Sequence, residues 1–190
     1  MANGTLKVEN IQTSSGSGTI TLGQSGETIA LGSGITSNLL YPALKVYLTA
    51  TQSSVADNTW TTVNMTGVDT DTSNGWSTSD YKYTVPSNMG GTYFIYAQIR
   101  FTPSATNAID RVFMRIYAGA SGSENERVQY SEDANGGSFQ HFTATSSVIT
   151  DLNAGDKVYL QGFCDVTSGT VSFTGTATSK ECQLGLYKIG

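Results

Sequence analysis

Histidine, cysteine, proline and basic residues are all scarce in this 190-residue chain, which has one His, two Cys, three Pro and only 10 Lys and Arg. A closed zinc site needs four ligands, and Cys164, Cys182 and His141 supply three. Two cysteines make no disulfide framework, and whether Cys164 and Cys182 pair or stay as buried thiols is left open. The 15 acidic residues outnumber the basic ones to give a net charge of −5, so the basic patch required by a phosphate backbone is missing and no nucleic-acid partner is expected. No apolar run approaches the ~20 residues of a membrane span, and Met1-Ala2-Asn3-Gly4 has neither a charged nor an apolar leader region. These absences predict a chain made in a cytosol, with no membrane insertion.

The chain is rich in hydroxyl residues and glycine, with 27 Thr, 22 Ser and 21 Gly. Thr is stiff at χ1 and Ser competes for backbone hydrogen bonds, so the mixture favours strands and tight turns and excludes an all-α protein. From Tyr41 onward, strand candidates at 43–49, 58–65, 81–85, 91–101, 111–118, 127–130, 139–148, 156–164, 170–176 and 182–189 alternate with turn signals such as Ser73-Asn74-Gly75 and Thr167-Ser168-Gly169. The expected fold is all-β, a ten-strand antiparallel jelly-roll sandwich over residues 41–190.

Residues 1–40 have a different texture. No aromatic precedes Tyr41, and Ile11, Ile20 and Ile29 each begin a block of nine in which Leu22 matches Leu31. Short strands in these blocks place isoleucine and leucine on one face, a stripe too thin for one chain to bury. The pattern predicts a β-repeat arm or stalk that wraps against copies of itself or lies on a partner, with Ile11, Ile20, Leu22, Ile29 and Leu31 as attachment residues.

The candidate at 91–101 is apolar on both sides. Tyr93, Ile95, Ala97, Ile99 and Phe101 share one face, and Phe94 and Tyr96 share the other with Gln98 and Arg100. A half-exposed strand of a monomer alternates more cleanly, so the second face predicts cover by a neighbouring subunit. Tyr93, Phe94, Ile95, Tyr96, Phe101, Val158, Leu160 and Leu186 are the expected residues of the core and subunit interface.

Three motifs carry a family resemblance. Tyr83-Thr84-Val85-Pro86 followed by Gly91-Thr92-Tyr93-Phe94-Ile95 resembles the aromatic-Thr-x-Pro, then Gly-x-Tyr-x-Phe signature of the globular heads of complement component one, subcomponent q. Leu152-Asn153-Ala154-Gly155-Asp156-Lys157-Val158-Tyr159-Leu160 is similar to that family's Leu-x-x-Gly-Asp-x-Val-x-Leu strand, and Leu184-Gly185-Leu186-Tyr187 to its closing strand. Gln183 replaces the closing Phe, extra residues separate Pro86 from Gly91, and no collagen repeat precedes the head. The resemblance implies a jelly roll shared with tumour necrosis factor that assembles as a parallel homotrimer. Together with the opening Ala-Asn-Gly-Thr-Leu-Lys-Val and the Gly-Ser-Gly-Thr-Ile repeat, the head also resembles virion structural proteins of tailed bacteriophages, especially those of marine bacteria. That resemblance implies a non-enzymatic capsid decoration protein, short fibre or spike that contacts phage capsid or tail proteins. A carbohydrate- or receptor-binding adhesin with a host surface glycan as ligand is the alternative.

Catalytic and metal chemistry find little footing, and no cofactor is expected. His141 shares a predicted strand face with Phe139 as a packed or rim imidazole, and no Gly-x-Ser-x-Gly elbow accompanies it. Glu124, Glu126, Glu132 and Asp133 cluster in a polar stretch that reads as a solvated rim. Asp69 and Asp71 have the spacing of two oxygen ligands but lack the Gly and distal Glu of a calcium loop. Of the two tryptophans, Trp60 is expected at the edge of the core and Trp76 on an exposed loop, which makes Trp76 the candidate glycan contact. In the turn before residue 157, Gly155 is expected at positive φ, with Asp156 bonding its own turn.

Overall fold

The structure is a computed structural model that describes residues 42–134 and 138–190, so the expected N-terminal arm lies outside the described residues. The strands are Ala43–Tyr47 (β1), Gln52–Val55 (β2), Thr61–Thr62 (β3), Gly67–Asp71 (β4), Trp76–Ser77 (β5), Lys82–Thr84 (β6) and Gly91–Pro103 (β7). They continue with Ile109–Gly119 (β8), Asn125–Asp133 (β9), Phe142–Leu152 (β10), Lys157–Val166 (β11), Val171–Phe173 (β12) and Gln183–Lys188 (β13).

They form two antiparallel sheets. In sheet 1, β10 covers one edge of β7 along Gly91–Phe101, while β13 and β12 share its other edge end to end. The sheet continues from β13 to β1 and β4, and from β12 to β2. Sheet 2 runs β5-β6-β11-β8-β9, with β3 on β11. Each of the ten expected strands has a counterpart in this jelly roll. The additional β2, β4 and β5 are short, and their partners, not their own periodicity, hold them in place. The candidate at 58–65 contracts to β3 because Asn58 turns the backbone at φ 52. The candidate at 139–148 shifts to β10, and Phe139 keeps only an isolated bridge to Ile109.

Alternation packs the interior. Tyr93, Ile95, Ile99 and Phe101 of β7 are fully buried, as are Leu184 of β13 and Met114 and Ile116 of β8. Val158, Leu160 and Leu186 join them, so six of the eight expected core and interface residues face inward. Phe101 meets Phe173 edge to face at 5.5 Å, a favoured aromatic geometry. Gly162 on β11 makes room for that pair: a Cβ there would stand 2.7 Å from the Phe173 ring.

Cys164 and Cys182 are free, buried thiols, and burial is the main force that pushes each up to about 12. At the start of β11 the turn has the expected form. Gly155 adopts φ +87 and its N–H donates to Val85 O, while an Asp156 carboxylate oxygen accepts from Asn153 N at 2.9 Å.

Candidate functional site

The two sheets turn different surfaces to solvent. On sheet 1 the register sets Ile149, Phe94 and Tyr187 in one cross-strand row and Ser147, Tyr96 and Gly185 in the next. The Phe94 ring lies 5.3 Å from Tyr187 and 6.2 Å from Tyr96. Ile149 is 61% exposed, Tyr187 45% and Ile189, just past β13, 48%. Phe94 and Tyr96 are thus the two expected core and interface residues that point outward. Tyr96 lies flat over Gly185, whose missing side chain leaves the bed for the ring, and Tyr47 covers its cross-strand partner Gly67 in the same way. Beyond Tyr96 the face becomes polar, and Gln98, Thr145, Ser147 and Gln183 line an open depression of about 350 Å³.

Sheet 2 interleaves aromatic and charged groups. Its outward register pairs Arg111 with Asp165, Phe113 with Phe163, Arg115 with Gln161 and Tyr117 with Tyr159. Trp60, which leads into β3, packs over this face at 5.5 Å from Phe163 and 6.1 Å from Phe113. The Arg115 guanidinium stacks 3.7 Å from the Trp60 centroid and 4.5 Å from that of Tyr117, and two of its N–H groups donate to Gln161 Oε1. Arg111 donates to the Asp165 carboxylate, which raises its pKa. Lys82 stands 4.3 Å over the Tyr159 ring and 2.6 Å from Glu124 Oε1. Burial raises the Glu124 pKa, but the Lys82 hydrogen bond, backbone hydrogen bonds from Glu124 and Gly122 and the Lys82 charge together outweigh it and hold the carboxyl below its usual range.

Two open depressions flank Phe113. One of about 260 Å³ is lined by Trp60, Arg111, Phe113, Gln129 and Phe163; the other, about 360 Å³, by Phe113, Ser131, Glu132 and Asp133. Trp76 is not on the exposed loop expected for it, and Trp60 is half-buried on the outer face of sheet 2. Trp76 is half-buried in β5 against the core, and its indole N–H donates to Met65 O at 3.3 Å. Asp71 holds it there by accepting from the N–H groups of Ser73, Gly75 and Trp76, a capped turn where the sequence suggested an exposed loop.

The other chemical candidates do not converge. Glu126 lies near Arg115, Glu132 accepts from the Tyr130 hydroxyl, and Glu124 belongs to Lys82, so the acidic cluster is dispersed along β9 and its approach. Lys180 and Lys45 engage Asp69, whereas Asp71 serves its turn, and no metal-binding group of three occurs among the described residues. His141 is exposed just before β10, and the rings that meet there are Phe139 and Phe142, tilted at 5.3 Å.

No family model and no curated protein matches the sequence. Solved structures do match. A tumour necrosis factor, Eiger of S. frugiperda, aligns at 13% identity over 79% of this chain and 93% of its own, with a TM-score of 0.57. The globular domain of a zebrafish complement 1qA protein aligns at 12% over 78% and 98%, with a TM-score of 0.54, and murine APRIL at pH 8.0 at 15% over 79% and 100%, with 0.55. The fold is the TNF-like and C1q-head jelly roll. At these identities the likeness is one of fold, and function rests on the surfaces that this jelly roll carries.

Proposed function

We propose that this protein is a non-enzymatic, homotrimeric structural component of a tailed-bacteriophage particle. It is made in the bacterial host cytoplasm and carried on the virion as a capsid decoration protein, short fibre or spike. The observation that carries the assembly is the outward face of sheet 1, where Phe94, Tyr96, Tyr187, Ile149 and Ile189 form an apolar surface; the row from Ile149 through Phe94 and Tyr187 to Ala43 holds no charged group, and Lys45 closes the next row at its β1 end. Rigid aromatics on an ordered sheet are what a subunit interface buries, and three-fold closure covers every copy of the surface without leaving one open. The particle role is supported by the sequence of residues 1–40: three phased isoleucines per chain, tripled in a trimer, bind a repetitive surface with avidity.

Light scattering of the purified full-length protein at micromolar concentration tests the assembly. About three chains per particle is expected, and a well-folded monomer overturns it. Decoration of phage particles that lack the protein tests the role. The full chain is expected to bind, and a chain beginning at Tyr41 is expected to trimerise without binding.

The adhesin alternative draws on another observation, the mixed aromatic and charged outward face of sheet 2.

A further inference from the structure

We infer that the outward face of sheet 2 is a binding site for a neutral oligosaccharide, centred on Phe113 and walled by Trp60 and Phe163. The site is independent of the assembly surface, because it lies on the other sheet of the sandwich. The two depressions on either side of Phe113 combine the two things that a pyranose presents. Aromatic carbon at Trp60, Phe113 and Phe163 suits its C–H face, and planar or hydroxyl hydrogen-bonding groups at Arg111, Gln129, Ser131 and Asp133 suit its hydroxyls.

Three observations favour a sugar over a protein partner. Arg115 stands between the Trp60 and Tyr117 rings, and Arg111 and Asp133 lie in the row next to Phe113, so a protein packed on this face would strip water from all three together, whereas sugar hydroxyls replace that water bond for bond. The polar side chains are already held: Arg111 by Asp165, and Arg115 by Gln161 and between two rings. A ligand therefore spends little of its binding energy on ordering them. Finally, the depressions are open and shallow against a sheet face, which suits a chain of sugar rings lying across the strands.

Charge selects the ligand class. Arg111 is engaged by Asp165 and lies in the field of Asp133, and Asp133 lines the second depression. A sialic acid, uronic acid or sulfate would enter against these carboxylates, and a neutral hexose chain does not meet that repulsion.

The experiment is a glycan array carrying neutral glucans, mannans and galactans beside sialylated and sulfated glycans, probed with the full-length protein. The neutral oligosaccharide of highest signal is then titrated by tryptophan fluorescence in a Trp76→Phe background, where Trp60 is the sole reporter. Saturable binding of a neutral glycan is expected, with a fluorescence change and at least a tenfold loss of affinity in Phe113→Ala. Because Phe113→Ala can loosen the sheet, Gln129→Ala, at an exposed side chain, provides the second test. It is expected to weaken binding severalfold with an unchanged melting temperature and subunit count. Absence of neutral-glycan binding, binding confined to acidic glycans, or wild-type affinity in both Phe113→Ala and Gln129→Ala overturns the site.

Discussion

Sheet 1 and sheet 2 share one core yet treat the solvent differently. In sheet 1 the outward aromatics rest on glycine: Tyr96 on Gly185 and Tyr47 on Gly67. Around Tyr96 and Phe94 the surface is apolar, and ions enter only toward the β1–β4 edge, where Lys180 stands 4.6 Å over the Tyr47 ring. In sheet 2 the outward aromatics interleave with ions, with Arg115 between Trp60 and Tyr117 and Lys82 over Tyr159. Its spared side chain points the other way, since Gly162 faces the core to admit Phe173. The placement of glycine thus decides which side of a sheet is levelled, and a levelled apolar face suits a protein copy where a corrugated, charged one suits a hydroxylated ligand.

The sharpest way to break this contrast is a pair of outward substitutions. Phe94→Asp with Tyr187→Asp puts two charges on the sheet 1 face and is expected to convert the trimer to monomers at micromolar concentration, whereas Trp60→Ala on sheet 2 leaves three chains per particle. Equal behaviour of the two variants in light scattering removes the distinction. Glycine position gives the next largest effect. Gly162→Val drives a side chain into Phe173, which is fully buried and cannot swing away, and is expected to cost about 3 kcal/mol. Gly185→Val displaces only the outward tip of Tyr96 and costs ~1 kcal/mol or less; urea melts of the two rank them.

A smaller effect belongs to the turn that starts β11. A Cβ at Gly155 meets nothing within 4 Å, so Gly155→Val isolates the cost of placing a branched residue at φ +87, about 1–2 kcal/mol. An unchanged melting temperature contradicts the conformational argument. The smallest belongs to the ionic side of the comparison. Glu124 has a folded pKa below its unfolded value, so its pairing with Lys82 stabilises above the unfolded carboxylate range and is lost as pH falls through the folded pKa. Glu124→Gln is expected to cost about 1 kcal/mol at pH 7 and to narrow its gap to wild type in melts below about pH 4.

Much of the fold was legible because its long strands carry strong alternation. In the β7 sequence every second residue from Tyr93 to Phe101 is apolar, and the structure buries that set and turns Phe94 and Tyr96 out. The Gly155-Asp156 turn was legible because one backbone conformation demands its residues. The tryptophans were not. Period-two reasoning holds only within a strand, and the 58–65 segment leaves strand geometry on both sides of β3, which frees Trp60 to lie across sheet 2. Trp76 was read as loop because Asn74-Gly75 is a turn signal, but the Asp71 carboxylate gathers that turn and delivers the indole to the core. The sheet 2 site was missed for a related reason. Phe113 and Phe163 are 50 positions apart in sequence, and only the β8–β11 register makes them neighbours.

The pairing of β1 with β13 bears on how the head comes into being during synthesis. Ala43 at the front of the described chain lies opposite Tyr187 near its back, and β1 and β4 reach β7 only through β13. While the ribosome is still making the segment before Gln183, that side of sheet 1 has no middle strand, β1 has no way to register on β7, and the core beneath is open. Sheet closure must therefore follow synthesis of β13, which makes folding of this sheet a long-range event and not a progressive one. It also leaves half of the Phe94–Tyr187 surface unbuilt until β13 is made, so chains that stop short of Gln183 lack that surface.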